Sequence, residues 1–486
     1  MISSGVWRKI LAMVSEEKAG AYQKARQINL DAARHGTFAE IGAGQEVARW
    51  FFRVGGAAAT VAKTISAYDM TVSDAIYGPC DRYVSRNRLQ AMLEHEYSLL
   101  LERLDAKRGA TTTFFVFAET AAMGSSTHNQ PGHAWIGMRF QHQPKVQPSE
   151  IILHVRMFET DNVYKQEALG ILGVNLIYGG LYHYQGPANL ISSLRDDLAR
   201  ERFEVDMIRF SGPCFAGVDN RLMSLQLVEQ GFTDAAMFDA QGEVVQPHEV
   251  LFEKPILVER GSFRPVTRPG LDLLERAAAR FAAELSERPV VVMEMSLRNL
   301  LSGDRIDHGD FLARVDILGA LGKTVIISNF PYYYRLSAYL RFYTSKRIVF
   351  ALGIPNLQRL FDEKYYTELP GGILESFGRL FMSGVKLYVY PTRNCQTGTL
   401  VTAETLAVAP NLRHLYAHLI DNKLIESIRD ISEKDLHILP KEVLAMIQTG
   451  DPAWESMVPQ PAIKLIKERG VFGYRPPAEA AVDKRS

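Results

Sequence analysis

Cysteine is scarce. Cys80, Cys214 and Cys395 are the only three in 486 residues, far apart and odd in number. No Cys-x-x-Cys pair exists, which excludes a disulfide framework and a zinc ribbon and points to a reducing, cytoplasmic compartment. Each thiol reads as a small buried hydrophobe. Net charge is also missing, with 55 Lys and Arg against 55 Asp and Glu. Broad binding of nucleic acid needs a basic excess, so that class is excluded, although one local basic pocket is not. Zero charge gives little repulsion between copies, so a homo-oligomer is expected. No apolar run approaches the ~20 residues of a membrane span. After Lys9 only Ile10 to Val14 is apolar before charges resume, so no signal peptide is expected either.

What is present is ordinary globular composition, 47% hydrophobic and 23% charged, in a chain too long for one core. Four regions follow from the patterning. Residues 1–110 read as a helical region, with helices at Ile10 to Asn29, Gly44 to Phe52 and Arg88 to Leu104. The small-residue stretch Gly55 to Thr64 reads as a tight turn or close helix approach. Residues 111–254 read as a mixed α/β domain. Its strands fall at Thr111 to Ala118, Ala134 to Phe140 and Glu150 to Met157, the last two an antiparallel pair joined by Gln141 to Ser149. An apolar, Gly-broken stretch follows at Leu169 to Tyr178, then helix at Ala188 to Arg200, strand at Phe203 to Phe210, helix at Asn220 to Gly231 and strand at Ala235 to Phe238.

Residues 255–420 carry the clearest rhythm. Strands are expected at Pro255 to Val258, Val290 to Met295, Thr324 to Ile327, Arg347 to Leu352 and Val385 to Val389. Helices lie between them, near 271–285, 309–321, 331–343, 355–364 and 371–382. Strands spaced by helices of 10–15 residues imply a doubly wound parallel sheet. Residues 421–486 read as a helical C-terminal extension ending in a frayed tail, Arg475 to Ser486. The fold class is α/β.

One stretch carries a chemical hypothesis. Pro255 to Val258 is a buried strand, Gly261 begins a tight turn in which it is expected to take unusual dihedrals, and an amphipathic helix starts near Leu271. Strand, glycine turn and helix aim backbone N–H groups at an anion. Arg260, Arg264 and Arg268 surround the turn, and the planar guanidinium fork suits phosphate.

Gly261-Ser-Phe-Arg-Pro-Val-Thr267 resembles the GSFxPxT signature of nucleotidylyltransferases such as the phosphopantetheine and nicotinate-nucleotide adenylyltransferases. The helix Leu271 to Phe281 resembles the one that follows it there, and the whole chain resembles a family of long bacterial proteins labelled nicotinate-nucleotide adenylyltransferase. The resemblance implies adenylyl transfer from ATP, with Mg²⁺, to nicotinate mononucleotide or another phosphate acceptor. Gly261, Ser262, Phe263 and Arg260 would then hold the nucleotide, and Thr267, Arg264 and Arg268 would serve the transfer. Catalysis of this kind is mostly positioning and charge stabilisation. The match covers about 25 residues and departs from the family at two places. Where the family has Thr-x-Gly-His, this chain has Thr267-Arg-Pro-Gly270, so the phosphate-contacting His is absent, and Arg268 or Lys346 is left to supply its charge. The downstream ISSTxxR pattern is not matched by Ile327 to Arg335 or Tyr343 to Arg347. Arg298, just past the second strand, is expected to matter less than Arg268. The lost His also supports a second reading, a non-catalytic assembly or regulatory protein with a degenerate transferase domain.

Other signals are weaker. Gly42-Ala-Gly-Gln-Glu-Val-Ala48 resembles a dinucleotide fingerprint, which requires a strand before it and a helix after it; a helix cap explains it as well. His128 and His133, with Glu119, are a candidate metal set, though no metal site is assigned. Asp161 to Glu167 groups polar residues at a strand end, and Asp219 reads as a helix cap. Tyr332-Tyr-Tyr-Arg335 offers stacking against a base, or plain packing.

Overall fold

The computed structural model describes residues 19–124, 131–285, 287–394 and 397–476. The expected first helix up to residue 18, His128, Cys395 and the tail from residue 477 onward lie outside them. The chain separates into two compact units, Met1–Thr233 and Asp234–Ser486.

The first unit follows the order α1 (Ala21–Leu30), β1 (Arg34–Ile41), α2 (Glu46–Arg53), β2 (Val61–Ile65), α3 (Met70–Tyr77), α4 (Arg86–Arg108), β3 (Thr113–Ala122), β4 (Gly132–Phe140), β5 (Ser149–Met157), α5 (Asn162–Tyr182), β6 (Phe203–Ser211) and α6 (Asn220–Glu229). Its sheet runs β2-β1-β3-β4-β5-β6. The first three strands are parallel and β3 to β6 are antiparallel. The pair joined by Gln141 to Ser149 is therefore as expected. The helical reading of the N-terminal region is corrected at β1 and β2. Five-residue β2 begins inside the small-residue stretch and ends one residue past it, and its strand conformation comes from pairing with β1 rather than from local pattern.

The Gly-broken stretch sits within one 21-residue helix, α5, capped where Asp161 accepts the Val163 N–H at 2.7 Å. Its glycines let α2 approach closely: a Cβ on Gly173 would stand 2.3 Å from Val47 Cγ2. α5 lies on one face of the sheet with Ile136, Met138, Leu153 and Val155 in its core. On the other face a Cβ at Gly137 would meet Leu89 and Leu93 of α4. The expected helix over Ala188 to Arg200 shortens to Pro187–Ser193.

The second unit comprises β7 (Ala235–Phe238), β8 (Val244–Val245), β9 (Ile256–Arg260), α7 (Arg268–Leu285), β10 (Val290–Ser296), α8 (His308–Ala320), β11 (Thr324–Ser328), α9 (Tyr333–Arg341), β12 (Ile348–Gly353), α10 (Ile354–Leu360), α11 (Gly372–Leu380), β13 (Lys386–Tyr390), α12 (Arg413–Asp421), β14 (Ile425–Ser427), α13 (Pro440–Thr449) and α14 (Gln460–Arg469). The sheet order is β14-β13-β12-β9-β10-β11-β7-β8. All strands from β9 to β14 are parallel, while β7 and β8 extend one edge antiparallel. Residues 234–254 thus join this unit, because β7 pairs with β11. β14 was not foreseen; three residues are too few to register as a pattern.

Helices cover both faces. On one, Leu336, Leu340, Leu357 and Phe377 pack on Val258, Phe350 and Val389. On the other, Phe281 of α7 meets Tyr388 edge-on and Phe311 of α8 meets Phe238. Taken in chain order, the six parallel strands lie 6-5-4-1-2-3, so the connection direction reverses between β9 and β12. Ligands of doubly wound sheets bind in the crevice at the carboxyl ends of the strands at such a switch point.

Candidate functional site

A cavity of about 450 Å³ opens at that switch point. It is lined from the β9 end by Glu259, Arg260, Gly261, Ser262 and Phe263, from the start of α7 by Thr267 and Gly270, and from the β10 end by Ser296, Arg298 and Asn299. Tyr332, Tyr333, Asn356, Arg359, Tyr365 and Tyr366 also line it.

The turn after β9 is fixed from three sides. The Gly261 N–H donates to the Glu294 carbonyl at 3.0 Å. The Asn299 amide donates to the Gly261 carbonyl at 3.2 Å. The buried Arg314 of α8 donates to the carbonyls of Ser262 and Asn299, at 3.1 and 2.6 Å, and pairs with Asp310. The left-handed residue of the turn is Phe263, at φ +49°, and Gly261 is needed for space instead. A Cβ there would stand 2.8 Å from the Phe263 ring. Thr267 is buried beside the first turn of α7, its Oγ1 3.7 Å from where a Cβ on Gly270 would be.

The arginines divide in a way the sequence did not indicate. Arg260 is consumed internally. Its guanidinium donates to both Glu294 oxygens at 2.6 and 3.0 Å and to the Phe330 carbonyl at 2.9 Å, with its carbon 4.9 Å from the Tyr333 ring centre. Glu294, fully buried, also accepts from the Ser328 hydroxyl. Arg264 pairs with Asp310 at 2.6 Å and does not line the cavity. Arg268 is exposed, also outside the lining, and its backbone N–H donates to Met457. Lys346 is tied to Glu287 at 2.8 Å. The exposed guanidiniums of the cavity belong to Arg298 and Arg359, and neither has an ion-pair partner among the described residues. Arg298 follows β10 directly and Arg359 closes α10, the helix after β12. Arg298 had a signal in the sequence, its position just beyond a strand's carboxyl end, whereas Arg359, six residues past β12 at the far end of a helix, had none.

The tyrosine run splits too. Tyr332 and Tyr333 reach the cavity, while Tyr334 is buried and Arg335 donates to its hydroxyl at 3.3 Å. Tyr332 stacks on Tyr334 with centres 5.7 Å apart. Burial, partly offset by Arg260 and reinforced by the negative charge of Glu294, pushes Tyr333 up to about 12. Glu259 is the sole carboxylate of the lining, and burial, partly offset by Lys323, raises it to about 8.

In the first unit, Gly42 to Ala48 does have β1 before it and α2 after it. The anion's place at the helix start is taken by the chain itself: Glu40 accepts the N–H groups of Val47 and Ala48 at 2.9 and 3.0 Å. Glu40 aligns with Glu119 on β3. Burial raises Glu40 to about 7 despite those two bonds. Burial and then the field of Glu40 hold Glu119 well above the carboxylate range. Of the candidate set with Glu119, His128 lies outside the described residues, and among the described residues no group of three or more His, Cys, Asp or Glu is suited to a metal. His133 sits instead beside His154, at 3.3 Å, whose other nitrogen meets Asp206 at 2.6 Å. Asp219 caps α6 as expected. No helix among the described residues is long and apolar enough to cross a membrane.

No family model matches this chain, and no curated protein matches it. Among solved structures, a competence-damaged protein (CinA) superfamily protein from Klebsiella pneumoniae is 15% identical, covering 34% of this chain and 96% of its own at a TM-score of 0.26. A competence/damage-inducible protein from Agrobacterium tumefaciens is 17% identical over 34% and 97%, at 0.26. Plasmodium falciparum nicotinic acid mononucleotide adenylyltransferase is 12% identical over 46% and 99%, at 0.29. Likenesses this slight carry no argument about function.

Proposed function

We propose that the second unit binds a nucleotide in the cavity at its switch point, and that its chemistry is nucleotidyl transfer from ATP to a phosphate-bearing acceptor. The observation that carries this reading is the convergence of the glycine turn, Thr267 and the unpaired Arg298 and Arg359 on one cavity at the carboxyl ends of β9, β10 and β12. Two guanidiniums lining one cavity suit a polyphosphate, because each fork holds two oxygens. Tyr332, Tyr333, Tyr365 and Tyr366 form an aromatic wall against which a base can lie.

The turn residues Gly261, Ser262 and Phe263 keep their proposed role as the phosphate cradle, with Thr267 beside them. Arg298 and Arg359 take the charge-balancing role first given to Arg264 and Arg268. Mg²⁺ finds no ligand set of its own here, since Glu259 is the only lining carboxylate. No step is therefore assigned to the ion beyond neutralising the triphosphate it accompanies. Transfer then depends on alignment of acceptor and α-phosphate and on the charge of the two arginines.

A thermal-shift series with ATP, CTP, NAD, nicotinamide mononucleotide and nicotinate mononucleotide tests the reading. A ligand at a hundredfold its Kd adds about 2.7 kcal/mol to folding. Absence of any shift at millimolar concentrations would favour the assembly protein with a degenerate transferase domain.

A further inference from the structure

Glu259 is the one carboxylate of the cavity lining, and the nucleotide reading leaves it without a task. It lies two residues before Gly261, in register with Met293 on β10 and Ala351 on β12. Its Oε1 stands 3.8 Å from where a Cβ on Gly270 would be, at the first turn of α7. Its Oε2 is sealed from solvent and has no hydrogen-bond partner. Two other strand-end glutamates show what is missing. Glu294 is held by Arg260 and Ser328. Glu40 accepts two backbone N–H groups. Glu259 has neither device, although it shares a cavity with Arg298 and Arg359.

The groups around it offer little compensation. Lys323, just ahead of β11, favours its charged form, but only at a distance. Tyr333 from α9 feels its field. Arg260 is spent on Glu294, the one ionisable residue of β10. β12 has no ionisable residue. Asp272 of α7 is engaged by Tyr390 and Arg276. An unpartnered carboxylate in a site for anions repels its ligand. The same group as a neutral acid leaves Arg298 and Arg359 unopposed and supplies an O–H donor.

Resting on the nucleotide reading, we propose that Glu259 couples phosphate-ligand binding to a proton: the cavity admits the ligand when Glu259 is the neutral acid and rejects it when Glu259 ionises. Burial places this transition at about pH 8, where a modest change in acidity changes occupancy.

The experiment is calorimetric titration of the full chain with ATP from pH 7 to 9.5. The nucleotide's phosphates are already ionised there and arginine does not titrate. Wild-type affinity should fall roughly tenfold per pH unit above about 8. At pH 8.5 binding should take up about three-quarters of a proton, and close to one at pH 9.5, read from the difference in heat between two buffers of unlike ionisation enthalpy. Glu259→Gln should bind with a flat profile and no proton uptake. A flat wild-type profile, or a fall that Glu259→Gln reproduces, overturns the coupling while leaving the nucleotide reading in place. Absence of ATP binding at every pH in both proteins removes that reading and the coupling with it. If Glu259→Gln does not fold, proton uptake by the wild type decides alone.

Discussion

Replacing Arg260 by Ala separates a ligand contact from a structural one. Its guanidinium makes two charge-assisted bonds to a carboxylate that is fully buried, one to a carbonyl at 2.9 Å and a cation–π contact at 4.9 Å. Removing it leaves Glu294 buried with only the Ser328 hydroxyl for company. Breaking a buried pair from one side costs about 3–5 kcal/mol, mostly from the stranded charge. For a domain of this size each kcal/mol is worth roughly 2–4 °C, so the second unit should melt about 10 °C lower. The assay is a thermal scan with a urea series on Arg260→Ala, Glu294→Gln and the double variant. The double variant should recover much of the loss, because it strands no charge. A single variant within ~1 kcal/mol of wild type, or a double variant no better than the singles, would refute the reasoning and return Arg260 to the ligand.

Other outcomes follow from the same geometry. Arg298→Ala and Arg359→Ala should each weaken ATP binding by about 1.5–3 kcal/mol, whereas exposed Arg268→Ala should stay within ~0.5 kcal/mol; calorimetry with the reverse ranking would reject the cavity assignment. Gly261→Ala should destabilise by about 1–3 kcal/mol, because its Cβ would meet the Phe263 ring at 2.8 Å, and an unchanged urea midpoint would contradict this. Burial raises the folded-state affinity of Glu40 and Glu119 for protons above that of the unfolded chain. Their contribution is therefore complete below pH ~4.5 and declines as pH rises through about 7. Glu119→Gln should flatten that decline and be the more stable protein at pH 8. A urea midpoint that falls with pH as steeply as in wild type would rule out the pair as its cause.

The strands of the second unit were legible because both of their faces are covered. Val290 to Met293 and Ile348 to Leu352 are continuous apolar runs, and the observed β10 and β12 match the expected strands to within a residue at each end. β1 was harder. Arg34, His35 and Thr37 give it a polar start, and it is a central strand only because β2 and β3 pair with it. At the site, the turn was readable from Gly261 to Thr267, since strand, turn and helix are contiguous in the chain. The charge partners were not. Whether an arginine faces a cavity or a carboxylate depends on what lies across from it, and Glu294 and Asp310 are 34 and 46 residues from the arginines they hold. Glu259 passed unnoticed for the same reason, as a strand-end carboxylate looks alike with or without a partner.

The sheet of the second unit has a consequence for self-association. It is bounded by β8, of two residues, and β14, of three. Strands so short present almost no free ladder to a neighbour, and this is how natural sheets avoid joining edge to edge. Two copies of this unit therefore cannot merge their sheets into one continuous ribbon. A dimer formed through this unit, if light scattering finds one, has to be built from side chains away from these two edges, and urea should dissociate it before the sheet itself comes apart.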